Sequence, residues 1–116
     1  MKYRSSKRAT ALSIPEEVKE RVWCRDAGTC VWCGRRGGYV FPEAHFIPRS
    51  KGGLGIAENI LTLCRPCHDR YDHGDRRQRQ LMRDYFREYL KKHYPEWDET
   101  KLIYHKEVFK NERSIF

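Results

Sequence analysis

The spacing of apolar residues in the first quarter of the chain predicts a helix. Val18 and Val22 lie four residues apart and would share one buried face. The stretch SIPE offers Ser13 as the N-cap and Glu16 as its reciprocal partner, with a proline in the first turn. Gly28 is the expected end, because glycine readily terminates a helix. We therefore predict one amphipathic helix between these two signals.

A second helix is predicted from about Asp75 to His93, where apolar and basic positions separate at helical spacing. The apolar side is expected to pack into the core and comprises Leu81, Met82, Tyr85, Phe86 and Tyr89. The basic side comprises Arg76, Arg79, Arg83 and Arg87. No acidic residue interrupts this basic side, so it fits either a solvated face or a face that follows phosphates.

Two strands and the start of a further helix are predicted between these helices. Residues 39–47 (YVFPEAHFI) are rich in β-branched and aromatic side chains, as are residues 60–63 (ILTL). The intervening residues 48–59 form a loop with three glycines. The stretch RPCHDRYD then suits a helix start, because Pro66 would lie in the first turn.

These elements predict a single α+β domain over residues 13–116, with its core at about 28–75 and a C-terminal helix at about 75–93. Residues 1–12 are expected to form a flexible basic arm, and plain terminal disorder is the alternative interpretation. Pro95 interrupts the helical pattern. Beyond it the sequence leaves a short strand and a packed tail equally open.

Composition narrows the class of protein. The chain has 116 residues, of which only 39% are hydrophobic, so its core is lean and some other constraint is expected to stabilise the fold. The net charge of +8 favours nucleic acid or an anionic membrane surface as partner, although a basic and inert surface remains open. No apolar run is long enough to span a bilayer, and the basic N-terminus is not followed by a secretory signal. We therefore expect a cytoplasmic protein.

Four of the five cysteines form two pairs with the spacing of metal ligands. Cys30 and Cys33 are separated by two residues, as are Cys64 and Cys67. In a reducing compartment such pairs favour metal over disulfides, and structural Zn²⁺ takes four ligands in a tetrahedron. The sequence predicts a four-cysteine zinc site that staples the fold. Cys24 stands apart on the first predicted helix and is expected to be a small buried residue.

Three polar residues follow a specific order between and beside the cysteine pairs. His45 lies on the first strand, Asn59 enters the second, and His68 opens the next helix. This order resembles the HNH nucleases, whose ββα-metal fold holds one divalent cation. The resemblance is carried by AHFIPRSKGG, ENILTLC and CRPCHDRYD, and the cysteine pairs match the zinc-stapled members. From IPEEVKERVWCRDAGTCVWCG onward the chain looks like small HNH proteins of bacteriophages, which would place it in the host cytoplasm.

The resemblance implies a role for each of these residues. His45, three residues before Pro48, would be the general base, a task that suits a neutral imidazole near pH 7. Asn59 would orient the base or touch the metal. His68 would bind the catalytic ion, Mg²⁺ or Mn²⁺, which acts as a Lewis acid in such reactions.

One position departs from the family pattern. Many members place Asp or His directly before the base, where this chain has Ala44, which cannot bind metal. Asp72 is the preferred replacement, because it lies four residues after His68 on the same helix face. Glu43 is the second choice, since it shares a strand face with His45.

The function expected from this resemblance is metal-dependent endonuclease activity that nicks or cuts duplex DNA. The residues expected to grip phosphates are Arg49, Lys51, Arg76, Arg79, Arg83 and Arg87. The alternative is a non-catalytic, zinc-stabilised module that binds DNA or assists phage DNA packaging beside the terminase. Such a module has no need of His45, Asn59 and His68 together, so this triplet favours the enzyme.

Overall fold

A computed structural model describes residues 6–106 and shows a small α+β protein. Its regular elements are α1 (Lys7–Leu12), α2 (Glu16–Arg25), β1 (Val40–His45), β2 (Ile60–Cys64), α3 (Arg65–His73) and α4 (Arg76–His93). Short 3₁₀ turns at Arg49–Lys51, Ala57–Asn59 and Glu99–Leu102 complete the described chain. The predicted fold class is confirmed. Both strands, α3 and α4 lie where the sequence predicts them.

The two strands form an antiparallel hairpin at the centre of the fold. Val40 pairs with Cys64 at one end, and His45 pairs with Ile60 at the other. The register shifts between Phe41 and Ala44, around Pro42. Proline cannot donate a backbone hydrogen bond, so it is accommodated at such an irregularity. β2 is buried along its whole length, and the hairpin therefore carries the core between the helices.

The N-terminal segment differs from the prediction of a flexible arm over residues 1–12. Residues Lys7–Leu12 form α1, which Ser6 caps by accepting a hydrogen bond from the Ala9 amide at 3.0 Å. Leu12 is 2% exposed, so burial of this side chain fixes a helix that is too short to be stable alone. Residues 1–5 lie outside the described residues.

The predicted start of the first long helix is also wrong. Ser13 does not cap α2. It ends α1, and its hydroxyl donates to the Ala9 carbonyl at 2.9 Å. α2 begins at Glu16 after Pro15, which provides no side-chain cap. The expected buried face is present, with Val22 fully buried and Val18 partly so.

The core is built around one stripe of α4. Met82, Phe86 and Leu90 recur every four residues and are fully buried. The Phe86 ring meets Tyr71 of α3 edge-on at a centroid distance of 5.1 Å. Leu81, by contrast, is 56% exposed, because it lies about 100° around the helix axis from Met82. Its predicted place in the core is wrong, and Tyr85 is likewise half exposed.

A buried polar network ties α2 to β2 and α4. Arg25 and Asp26 form an ion pair at 2.7 Å. Asp26 also accepts hydrogen bonds from the Thr62 amide and the Tyr89 hydroxyl. Burial and the Asp26 carboxylate raise the pKa of Tyr89 well above its usual range, which keeps its hydroxyl proton in place as a donor. Buried charges are tolerated when every partner is satisfied in this way.

The segment after Pro95 packs back onto the loop between the strands. Leu102 is buried, and Ile103 forms an isolated bridge with Gly53. A side chain at Gly53 would overlap the Ile47 carbonyl, which explains glycine at this crossing. The end of the described chain is thus a packed tail. No helix within residues 6–106 has the length and apolar character needed to cross a membrane.

Candidate functional site

The four paired cysteines converge at one end of the hairpin. Their sulfur atoms all lie within 4.8 Å of one another, and Cys33 and Cys64 approach to 3.7 Å. Two thiolates on a tetrahedral Zn²⁺, each at ~2.3 Å, would be separated by about 3.8 Å. The donor set and its spacing therefore fit a structural metal site such as zinc. Cys24, which we expected to be buried, is exposed and lies outside this cluster.

The surroundings of the cluster shift the pKa values of its thiols in opposite directions. Burial would raise the pKa of Cys30, but backbone N–H groups of Cys33, Cys64 and Trp32 outweigh it and lower that pKa to about 7. Burial raises the pKa of Cys64 and, more strongly, that of Cys67. A bound metal cation would deprotonate all four thiols despite these different pKa values, because metal ligands bind as thiolates.

A basic cleft lies between the hairpin, the 48–55 loop, α3 and α4. It encloses about 670 Å³. The predicted site residues that line it are Glu43, His45, His68, Asp72, Arg49, Lys51, Arg79 and Arg83. The fold thus brings predicted site residues from both strands' surroundings and from two helices into one cavity. This cavity is the candidate functional site.

His45 occupies the end of β1 with one ring nitrogen engaged. Its Nε2 lies 2.9 Å from the Leu12 carbonyl oxygen. A carbonyl only accepts hydrogen bonds, so Nε2 carries the proton and Nδ1 keeps a free lone pair in the neutral ring. Burial lowers the pKa of His45, and the nearby Arg49 and His68 lower it further, against the opposing effect of the Leu12 carbonyl. The imidazole is therefore neutral at pH 7, the form that accepts a proton.

His68 and Asp72 face each other across one turn of α3. The Nε2 of His68 lies 3.4 Å from a carboxylate oxygen of Asp72. One imidazole and one carboxylate suit a divalent cation that keeps water and substrate oxygens as its other ligands. Glu43, the second choice at sequence level, instead pairs with Lys19 at 3.6 Å. Ala44 is fully buried opposite Leu61, so this position contributes no ligand.

Asn59 lies behind the wall of the cleft, and its predicted role of orienting the base or touching the metal stays a prediction. It is fully buried and is not among the side chains that line the cleft. Its amide oxygen accepts from the Ile47 amide at 2.9 Å. Its amide nitrogen donates to the carbonyls of Ile47 and Leu54. Asn59 therefore fixes both ends of the loop that carries Arg49 and Lys51, and it touches the site only through this loop.

The four arginines predicted to form one basic face divide into different groups. Arg79 and Arg83 line the cleft, whereas Arg76 is exposed outside it. Arg87 is paired with Glu99 at 2.8 Å and with Asp84 at 3.0 Å. Asp84 of the same helix and Glu99 of the 3₁₀ turn after α4 therefore neutralise the Arg87 end of this face. Arg79 differs again, since its Nε is buried and bonds to no other described group.

Sequence reasoning missed several side chains of the cleft. Lys19, Ser50, Tyr71 and His73 also line it. Tyr71 donates to the Phe46 carbonyl at 2.7 Å and so fixes the backbone directly after His45. Its helical spacing, three residues after His68, was a signal that the two share a face. Lys19 comes from α2, and nothing in the sequence indicates that α2 reaches the cleft.

Comparison with known proteins identifies a family over this part of the chain. The family model described as HNH endonuclease matches residues 30–85, which include both cysteine pairs, His45, His68 and Asp72. A curated protein named Anaredoxin, from Nostoc sp., is 45% identical over 31 residues. That similarity covers 27% of this chain and 41% of Anaredoxin, so the chain spans less than half of that protein.

Proposed function

We propose that this protein is a metal-dependent endonuclease that hydrolyses phosphodiester bonds in DNA, because residues 30–85 match the family model described as HNH endonuclease. The observation that carries the proposal is the convergence of His45, His68 and Asp72 in one basic cleft. The family match alone supports nuclease activity in general. The site geometry is the reason for proposing a complete catalytic centre here.

His45 is proposed as the general base. A neutral imidazole at the wall of the cleft can take the proton of a water molecule at Nδ1, while Nε2 continues to donate to the Leu12 carbonyl. The resulting imidazolium then has a hydrogen bond on each nitrogen. Because burial and the nearby cations lower the pKa of His45, it releases that proton readily after each turnover.

His68 and Asp72 are the residues that would hold Mg²⁺ or Mn²⁺. Such an ion supplies Lewis-acid stabilisation of a phosphate oxygen and of the leaving 3′ oxygen. The two side chains lie four residues apart on α3 with 3.4 Å between His68 Nε2 and an Asp72 carboxylate oxygen, so both donors are on the same side of the cleft. Asp72 thereby serves in place of the ligand that Ala44 cannot provide.

The cations of the cleft are proposed to hold the DNA backbone. Arg49 and Lys51 lie on the loop, and Arg79 and Arg83 lie on α4, so phosphate can be contacted from two sides. The cysteine cluster would bind Zn²⁺ and hold α3 against the hairpin. Because the described residues form one cleft that contains a candidate base, nicking of one strand is the expected elementary reaction.

The proposal is tested with supercoiled plasmid, purified protein and Mg²⁺ or Mn²⁺ at low salt. We expect conversion to open-circle DNA that is abolished in His45→Ala. The matched control is His93→Ala, an exposed histidine of α4 outside the cleft, which should leave activity unchanged. Equal activity of the two variants would refute the assigned base.

A non-catalytic DNA-binding module is the second candidate, and Ala44 is the observation that favours it. With alanine at this position, His68 and Asp72 are the residues that would hold a catalytic ion, and no third His, Cys, Asp or Glu joins them among the described residues. DNA binding without cleavage under either metal would support this candidate. A phage context and terminase partners stay predictions from the sequence resemblance.

A further inference from the structure

Helix α1 reaches the candidate general base directly. Leu12 is the last residue of α1, and its carbonyl oxygen is the partner of His45 Nε2 at 2.9 Å. These residues are 33 positions apart, and residue 12 lies outside the segment 30–85 that matches the family. The hydrogen-bond partner of His45 is therefore supplied by a separate part of the chain.

Independent contacts set the position of this carbonyl. The Gly55 amide donates to the Ala11 carbonyl at 3.0 Å. A Cβ at Gly55 would overlap the Ser13 carbonyl oxygen, so the loop and the end of α1 are in direct backbone contact. Leu12 itself is buried. Packing of α1 on the loop thus places the Leu12 carbonyl, and it does so without any bond to His45.

We propose that α1 is part of the catalytic apparatus, with the Leu12 carbonyl as the positioning group that holds His45 in its Nε2–H tautomer and turns Nδ1 to the reacting water. The proposal rests on the proposed function, because it specifies which ring nitrogen takes the proton. The water proton moves to Nδ1, the water oxygen bonds to phosphorus, and the bond between phosphorus and the 3′ oxygen breaks. The 3′ oxygen leaves with the electron pair and takes a proton from bulk water. Nε2–H stays bonded to Leu12 throughout, and in the imidazolium this becomes a charge-assisted bond.

The first test changes the position of α1 without touching a side chain of the cleft. Gly55→Ala should push the Ser13 carbonyl, and with it Leu12, away from the loop. Gly38→Ala is the matched control, because a Cβ at Gly38 meets open space. A shift of about 1 Å in such a contact lowers kcat by about 100-fold. We expect this loss in Gly55→Ala with an unchanged KM for DNA, and no loss in Gly38→Ala.

A second measurement keeps the proposal testable if Gly55→Ala does not fold. ¹⁵N NMR of histidine-labelled wild-type protein, zinc-loaded and free of Mg²⁺ and Mn²⁺, reports the tautomer of His45. The Nε2–H form supports the proposal, and the Nδ1–H form overturns it. A folded Gly55→Ala protein with wild-type kcat overturns it as well. An inactive wild type with His45 in the Nε2–H form would refute the proposed function and leave this positioning contact standing.

Discussion

Arginines of α4 differ in whether their guanidinium groups are already paired with carboxylates. Arg87 is neutralised by carboxylates on two sides, and the hydrogen bond to Glu99 is the main reason that its pKa is raised. The Nε of Arg79, by contrast, is buried and has no hydrogen-bond partner among the described residues. A buried donor without a partner is costly, so an anion in the cleft would be bound more strongly by Arg79 than by Arg87.

Replacement of Arg79 by alanine is therefore expected to affect the chemical step. If its guanidinium stabilises charge on the reacting phosphate, kcat should fall by about 100-fold in Arg79→Ala, as for loss of one donor to a developing oxyanion. The control is Arg77→Ala, a neighbouring exposed arginine outside the cleft. Single-turnover nicking rates of the two variants at saturating enzyme measure the difference. Equal rates would show that Arg79 contributes only general attraction to DNA.

For single residues, the sequence predicts the type and order of the site residues but not the direction in which their side chains point. The types and order of His45, Asn59 and His68 predict a site, and two of them do line the cleft. Whether the Asn59 amide faces the cleft or the backbone depends on the path of the loop from Ile47 to Leu54, which has no local signature. The orientation of the His45 ring is equally hard to predict, because its hydrogen-bond partner is 33 residues away in the chain.

At the scale of elements, the cysteine cluster joins the hairpin to α3. Cys64 ends β2 and is the N-cap of α3, and Cys67 lies in the first turn of that helix. A metal bound there fixes the start of the helix that carries His68 and Asp72.

Loss of one ligand should therefore destabilise the whole protein. Structural Zn²⁺ contributes about 10 kcal/mol or more of binding free energy in small domains, much of which appears as folding free energy. We expect Cys67→Ser to lose stoichiometric zinc and cooperative thermal unfolding. Cys24→Ser, at an exposed cysteine outside the cluster, should keep both. Metal analysis and circular dichroism melts measure this, and an unaltered melt in Cys67→Ser would exclude a structural metal.

Elements with a strong internal pattern were predictable, and α1 was not. α4 has 18 residues with apolar positions every four residues and an N-cap at Asp75, so local physics defines it. α1 has six residues and one buried side chain, and it depends on contacts with the distant 48–55 loop. Its local signal is the Ser6 cap, and this signal is not specific, because serine before a short segment is common in loops too.

At the scale of the whole molecule, positive and negative groups are separated in space. The net charge is +8, and cations dominate the cleft that contains His45. A second groove, lined by Glu58, Glu96, Trp97 and Asp98, carries most of its charge as carboxylate. DNA should therefore approach the cleft side and avoid the other groove, because phosphate is attracted at one and repelled at the other.

This arrangement predicts a salt dependence that individual cleft residues set. Each phosphate neutralised by Lys or Arg contributes roughly 0.9 to the slope of log K against log salt concentration for duplex DNA. Lys51→Ala should thus reduce the slope by about one. Lys92→Ala removes the same charge at the far end of α4, outside the cleft, and should leave the slope unchanged.

Fluorescence anisotropy titrations of a labelled duplex at several salt concentrations, without Mg²⁺ or Mn²⁺, give both slopes. Equal reductions in the two variants would mean that DNA is attracted by net charge alone, because only a localised interface distinguishes two lysines of identical charge.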